Sequence, residues 1–509
     1  MSVHYGMSEQ TTLMRDKFAG SLIHLLEEQI DTGLNLATRI QNAIRRQIIV
    51  GALKRKDRLP SSRTLAAELG IARDTVEAAY QHLESEGFLT RLHGSGTFVT
   101  ETGSDFLRDH GPRTRRRNVE IETGNRGRIA LNLGGVRDPV TRAFSAAMPD
   151  LRAFPSSTWN RIASRIMREQ AACVLNYSDP QGLRDLREEI ARYLAAHRGV
   201  RCNADNVVVL TSSQQALAMI SSLLLDPGDV VAVEDPGYPG VKAALKMAGA
   251  DLLPVPVDGE GLRVDVLSRR RGPIRGVYVT PSHQYPTGVT LGFDRRVALI
   301  EWARSNKAWI IEDDYDSEYR YEGAPISCIQ GLDPSGAILY VGTFTKTLFP
   351  GVRIAYLVAP SYLVKTFVTA RTLVDGHSAY LNQAVLAEFM SGGHFTAHVR
   401  RMRELYKGRR DAFLEAFDRH LSPFASFDVA NGGFQITCDV RNGVGEAESI
   451  RAAAQLGIEL PSLRSLYLAR PQRSGWVMGY VGLAPQEAEA AMRKLARSLG
   501  SGSQSRRRV

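Results

Sequence analysis

The latter part of the chain carries five nearly continuous apolar runs: NVVVL at 206–210, DVVAVED at 229–235, GVYVT at 276–280, AWIIEDD at 308–314 and AILYVG at 337–342. Each is followed by a loop and then a helix or turn signal. A strand with one wet face alternates apolar and polar residues. Runs without that alternation are strands buried on both faces. Strands of this kind interleaved with helices predict an α/β domain built on a largely parallel sheet, with any ligand beyond the carboxyl ends of the strands. After about Ser361 the pattern turns mostly helical, with strands only at FQITCDV and WVMGYVGL, which predicts a smaller C-terminal subdomain. The tail SGSQSRRRV is expected to be disordered.

Ahead of the sheet the hydrophobic period changes. Leu36, Ile40, Ala43, Ile44 and Ile48 share one helical face that stops at Gly51. In LPSSRTLAAELG, Pro60 breaks the chain, a serine caps a new helix, Leu65 and Leu69 face inward and Gly70 ends it. The next helix turns Val76, Ala79, Tyr80 and Leu83 inward, leaves Arg73, Asp74 and Glu77 outside, and stops at Gly87. Two β-prone runs, FLTRL and TFV, flank the turn HGSG. Three helices and a hairpin predict an N-terminal winged helix-turn-helix over 34–100. Residues 101–129, with the basic string RTRRR, read as a flexible linker to an effector domain over 130–498. A coil of about 30 residues spans roughly 30 Å, enough for a module to dock on a neighbouring chain. Further upstream, Phe18 to Ile30 suits a short helix.

Composition narrows the function classes. The 509 residues are 43% hydrophobic and 23% charged, with no apolar run long enough for a membrane span. The N-terminus has acidic and polar residues where a secretory segment is apolar, so a cytoplasmic protein is expected. Cys173, Cys202, Cys328 and Cys438 lie far apart without a CxxC pair, which argues against a metal centre or a disulfide framework. A net charge of +10 is compatible with a polyanionic partner but does not require one.

Chemistry gathers in two places. A helix opening with Arg73, Asp74 and Thr75 suits the major groove, where Arg73 can donate two hydrogen bonds to a guanine and Thr75 can reach a phosphate. Arg63 and the wing residues His93 and Gly94 would meet the DNA backbone. In the large domain, Lys346 follows a buried strand, hemmed in by Thr343, Phe344 and Thr345, where a lysine can form an imine with an aldehyde. Period-two geometry puts Asp313 and Tyr315 on one face of their strand and Asp314 on the other. A pyridinium ring needs a buried carboxylate at its nitrogen, and a tyrosine beside it can hydrogen-bond the ring's 3-oxygen. Ser212, Ser213 and Gln214 open a helix directly after a strand, an anion site of backbone N–H groups. Arg353 adds a fork-shaped phosphate clamp, and Tyr238 in EDPGYPG can stack on a ring.

The string LPSSRTLAAELGIARDTVEAAYQHLESEGFLTRLHGSGTFV resembles the winged helix-turn-helix of GntR-type bacterial regulators, except that Ala72 stands where relatives carry a serine cap. EDPGYPG, TPSHQYPTG, IIEDDYDSEYRY and GTFTKTLFPGVRIAYLV resemble, in order, fold-type I aminotransferases and specifically the MocR/GabR subfamily of GntR regulators, over about residues 130 to 495. The resemblance implies pyridoxal 5'-phosphate held on Lys346, with Asp313 at the pyridine nitrogen, Tyr315 at the 3-oxygen, Thr343 and Arg353 on the phosphate and Tyr238 stacked. It also implies a homodimer in which Tyr177 reaches the partner's phosphate. TSSQQAL is one residue shorter than the pattern of that subfamily, and Gly240 and Val477 stand where relatives sensing an amino acid place arginines. The resemblance thus implies a regulator of operator DNA that senses a small amino compound or pyridoxal phosphate itself. The alternative is a working aminotransferase with a DNA-binding appendage.

Overall fold

The computed structural model describes residues 22, 25, 26, 33–100, 123–133, 140–323, 327–333, 335–428, 431–441 and 443–506. The chain divides into two compact units, Met1–Glu122 and Thr123–Val509. The basic RTRRR string lies outside the described residues. Of the helix expected over Phe18–Ile30, only Leu22, Leu25 and Leu26 are described, and they are helical.

In the first unit, α1 (Leu36–Ile49) starts at Asn35, whose side chain accepts from Thr38 N. Helix α2 (Ser62–Leu69) starts at Ser61, which accepts from Thr64 N, and ends at Gly70 in the left-handed region. Helix α3 (Arg73–Ser85) starts at Ala72 with no side-chain cap. Strands β1 (Leu89–Leu92) and β2 (Gly96–Val99) pair antiparallel as the wing, with Leu89 opposite Val99. Ile40, Ile44, Leu65, Val76, Tyr80 and Leu83 form one core, and the Tyr80 hydroxyl donates to the Pro60 carbonyl at 2.9 Å. The winged helix-turn-helix expected from the periodicity is present.

The second unit is built on an eight-stranded sheet in the order β3-β10-β9-β8-β7-β4-β5-β6. In chain order these are β3 (Val207–Leu210), β4 (Val230–Asp235), β5 (Asp251–Asp258), β6 (Gly261–Leu262), β7 (Gly276–Val279), β8 (Trp309–Asp314), β9 (Ile338–Thr343) and β10 (Ala355–Val358). The strands from β9 through β5 are mutually parallel, while β10 runs against both of its neighbours. Strands β3, β7 and β9 are buried throughout, because helices pack apolar cores on both faces. A smaller subdomain holds β11 (Ala425–Phe427), β12 (Gln435–Val440) and β13 (Gly475–Gly479), antiparallel, under the long helices His394–His420 and Pro485–Arg506. Its core contains Phe413, Phe434, Trp476 and Tyr480.

Three expectations shift. The smaller subdomain does not begin at Ser361, since Phe367 of helix Ser361–Val374 and Leu386 of helix Tyr380–Ser391 pack into the large-sheet cores. Helical period reveals a buried face but not which sheet it covers. The tail is helical through Arg506, because a helix anchored by Met492 and Leu495 propagates at little cost once nucleated. A helix at Asn125–Leu133, with no buried side chain, begins inside the stretch read as linker and lies against helix Pro239–Ala248.

Candidate functional site

The carboxyl ends of β3, β4, β7, β8 and β9 lie along one edge of the sheet, and the start of β10 joins them because that strand is reversed. Thr211–Gln214, Tyr238, Asp313–Tyr315, Thr343–Lys346 and Arg353 therefore converge from five separate stretches of chain. Leu210 feeds a helix, Ser213–Leu224, whose cap Ser212 accepts from Gln215 N at 3.1 Å. The first-turn N–H groups of Ser213 and Gln214 have no carbonyl a turn earlier to bond. The Gln214 amide donates to the Gly240 carbonyl at 2.8 Å, and its oxygen faces the Tyr238 hydroxyl at 3.4 Å, so this side chain braces the Tyr238 loop. Tyr238 meets Tyr285 edge-on, ring centroids 5.8 Å apart. A Cβ at Gly240 would lie 2.3 Å from the Gln214 oxygen and 2.5 Å from the Tyr238 ring, so a side chain there would displace this brace.

Asp313 and Asp314 point to opposite faces, as period two requires, and meet opposite surroundings. Asp314 accepts from Arg198 Nε at 2.8 Å and from the Tyr340 hydroxyl at 2.5 Å. Burial alone would push its carboxyl up, but the Arg198 charge and these bonds hold it below its ordinary value. Asp313 accepts from the Tyr278 hydroxyl at 2.7 Å through one oxygen, while the other is buried without a partner among the described residues. Burial pushes this carboxyl up to about 7, against the opposing effects of the Tyr278 bond and the Lys346 charge. Tyr315 is held by His283, whose Nδ1 lies 3.0 Å from the Tyr315 hydroxyl and 2.9 Å from Asp316 Oδ2.

Lys346 follows the end of β9 and donates to the Ala147 carbonyl at 2.7 Å. The Thr343 hydroxyl closes the turn before it, accepting from Thr345 N at 3.2 Å. Arg353 stands exposed at the entry to β10 in a left-handed conformation, φ +51°. Tyr177 stands apart from these groups, 91% exposed, its ring 5.8 Å from that of His377. In the first unit Arg63, Arg73, Asp74, His93 and Gly94 are exposed and Thr75 is half-buried. Glu77, expected on the outer face, is bound by Arg91 of β1, which also pairs with Glu84 at 3.1 Å.

The residues of the edge that sequence reasoning does not single out include Tyr278, His283, Asp316 and Ala147. Tyr278 sits in a quoted strand run, and His283 and Asp316 in quoted loops, but their partners are fixed by the pairing of β7 with β8. Glu234 is another; it accepts from Thr280 N and Oγ1 and from the Gln284 amide, tying the loops after β4 and β7 together.

Comparisons with known proteins agree with both halves. The family described as aminotransferase class I and II matches residues 150–442, and bacterial regulatory proteins of the gntR family match residues 36–99. The probable rhizopine catabolism regulatory protein MocR of Rhizobium meliloti is 35% identical, covering 91% of this chain and 94% of its own length. The pyridoxine biosynthesis regulator PdxR of Corynebacterium glutamicum is 31% identical, covering 88% and 92%. Among solved structures, the kynurenine aminotransferase of Pyrococcus horikoshii superposes with a TM-score of 0.66 at 26% identity, over 76% of this chain and 97% of that one. The chain therefore belongs to the MocR-type GntR transcriptional regulators, DNA-binding proteins in which a winged helix precedes a domain of the aminotransferase class I and II family.

Proposed function

We propose that the second unit binds pyridoxal 5'-phosphate to sense a small amino compound, or the supply of the cofactor itself, and that its state sets how a homodimer holds operator DNA. The observation carrying this reading is Asp313, with one oxygen on Tyr278 and the other buried without a partner among the described residues, on the strand next to β9, whose end leads into Lys346. A protonated ring nitrogen is the partner such an oxygen lacks. When bound, the cofactor supplies an aldehyde able to condense with a primary amine. Lys346 would hold it, Asp313 would keep the proton at the ring nitrogen, and Tyr315 would donate to the 3-oxygen while Tyr238 covers the ring. Thr343, Arg353 and the backbone N–H groups of Ser212, Ser213 and Gln214 would neutralise the phosphate, joined by Tyr177 from the partner chain.

Arg73, Asp74 and Thr75 would enter the major groove, with Arg63, His93 and Gly94 on the DNA backbone. The spans 34–100, 101–129 and 130–498 go with this reading as reader, linker and sensor. A cytoplasmic location, with access to DNA, fits it too; no helix among the described residues is long and apolar enough to cross a membrane. The name of MocR refers to rhizopine catabolism, which supports a small-molecule effector, and that of PdxR to pyridoxine biosynthesis, which supports the cofactor's supply as the signal.

Operator affinity measured on cofactor-free protein, on protein with pyridoxal phosphate, and after adding amines separates the two signals. Borohydride is expected to fix the cofactor to the peptide bearing Lys346, and a Lys346→Ala variant that gives the same adduct overturns the reading. The likeness to solved aminotransferases favours one rival, a working transaminase. Steady-state transamination without specific DNA binding would establish it.

A further inference from the structure

In the antiparallel pair β12–β13, Gln435 lies directly opposite Gly479 and Thr437 opposite Val477. Side chains alternate along a strand, so these four positions share one face. The Thr437 hydroxyl donates to the Pro286 carbonyl at 2.7 Å, and Pro286 follows the Tyr285 that meets Tyr238. A Cβ built on Gly479 would fall 2.1 Å from the Ser145 carbonyl and 3.1 Å from Ala146 Cα. The next residue, Ala147, is the one whose carbonyl takes the Lys346 ammonium. This face of the smaller subdomain therefore closes the candidate site on the side away from the sheet.

On that face Gln435 is 2% exposed, and neither its amide nitrogen nor its oxygen has a partner among the described residues. Other buried amides of this unit are satisfied. Gln383 accepts from Leu183 N and donates to the Ser378 carbonyl, and Gln284 is bonded to Glu234 and the Pro236 carbonyl. A second open group lies against the segment that leads into Gln435. His283 Nε2 is buried and has no partner among the described residues, and a Cβ on Gly433, two residues before Gln435, would fall 2.6 Å from it. Buried polar atoms left unpaired destabilise a fold, and in native proteins such groups call for a missing partner.

We propose that Gln435 and His283 Nε2 form the subsite that reads the effector, and that the effector is a primary amine bearing a neutral donor–acceptor group, a hydroxyl or a carboxamide. This rests on the reading of the site as a cofactor-borne amine sensor. A primary amide side chain offers one donor and one acceptor side by side, and a hydroxyl or carboxamide answers both. A carboxylate would face the Gln435 oxygen with no proton to give. None of the four positions of this face carries a cation to compensate its charge.

The test uses full-length protein, first loaded with pyridoxal phosphate and then titrated with ethanolamine, glycinamide, n-propylamine and β-alanine, following cofactor absorption. Wild type is expected to bind ethanolamine and glycinamide at least about tenfold more tightly than n-propylamine or β-alanine. Gln435→Leu is expected to bring ethanolamine to the level of n-propylamine. The same change should raise the melting midpoint of the cofactor-free protein, because an unpaired amide is removed, whereas a purely structural glutamine would lower it on substitution. A Gln435→Leu protein with the wild-type ratio of affinities, or a wild type that prefers β-alanine or does not separate ethanolamine from n-propylamine, overturns the proposal and leaves cofactor binding standing. Failure to load cofactor at the first step overturns both.

Discussion

Asp313 and Asp314 are neighbours in sequence with opposite electrostatics. The strand turns one toward Arg198 and the other toward surroundings that leave one of its oxygens without a partner among the described residues. Because burial raises the Asp313 carboxyl to about 7, the folded cofactor-free protein holds a proton there that the unfolded chain gives up near pH 4. The folded state thus binds more protons, so this residue's contribution to stability is complete below about pH 4 and is lost as pH rises toward about 7. A pyridinium at the open oxygen favours the ionised carboxylate and releases that proton. The melting-point gain from pyridoxal phosphate should therefore be larger at about pH 8 than at about pH 5.5. Asp313→Asn should weaken cofactor retention by about one to two orders of magnitude and flatten the pH difference, as read by absorbance titration and melting. An unchanged pH difference in the variant would remove Asp313 from the site. That Asp313, Tyr315, Thr343 and Lys346 lie along one edge of the sheet is legible in the sequence, because strand alternation and strand ends are local facts. The surroundings of Tyr278, His283 and Gln435 are not, because they depend on how separate elements pair, as in the pairing of Tyr278 with Ile311.

Among the elements, the winged helix is legible where its helix ends are written in caps, Ser61 and Gly70 standing at the boundaries of α2, while the Asn35 cap of α1 shows only in the structure. The helices between Ser361 and Ser391 were assigned to the wrong subdomain, since their periodicity says nothing of the sheet they cover. Ala72 is the weak point of the module, opening α3 without a side-chain oxygen. Ala72→Ser should stabilise the module by about 1 kcal/mol, measurable as a raised unfolding midpoint. Function at this scale separates by residue type. Arg73→Ala should cost about 1–3 kcal/mol of operator affinity and relax preference at one base pair, whereas Arg63→Ala should weaken all sequences alike and reduce the salt slope by about 1. Fluorescence anisotropy on operator and scrambled duplexes at several salt concentrations distinguishes them, and equal, sequence-independent losses would refute the assignment. The Arg91 anchor on Glu77 and Glu84 gives a physical reason for the α3–wing geometry, since it ties the start of the hairpin to the helix expected to read bases.

At the scale of the molecule, the group that does not join the site within one chain is the most informative. Tyr177 is 91% exposed beside His377, and Leu175, Leu373 and Val374 are exposed by 81%, 85% and 68%. Water-exposed apolar side chains gathered on adjoining segments are a surface suited to association. If a second copy covers it, Tyr177 leaves its own chain's surface and reaches the partner's phosphate cup. Each site would then be composite, with Lys346 from one chain and Tyr177 from the other. Two variants follow from this. Tyr177→Ala should dimerise but hold cofactor weakly in both sites, and Lys346→Ala should give no reducible adduct at all. Mixed under conditions that allow chains to exchange, they form dimers in which the Tyr177→Ala chain keeps its own lysine and receives an intact tyrosine from its partner. One complete site per mixed dimer is the expected result, seen as tight cofactor binding and a borohydride adduct on the Tyr177→Ala chain alone. If each tyrosine served its own chain, no combination of these two variants would restore tight binding. Mixing without recovery, with exchange verified by differently tagged chains, would show that Tyr177 does not act across the dimer.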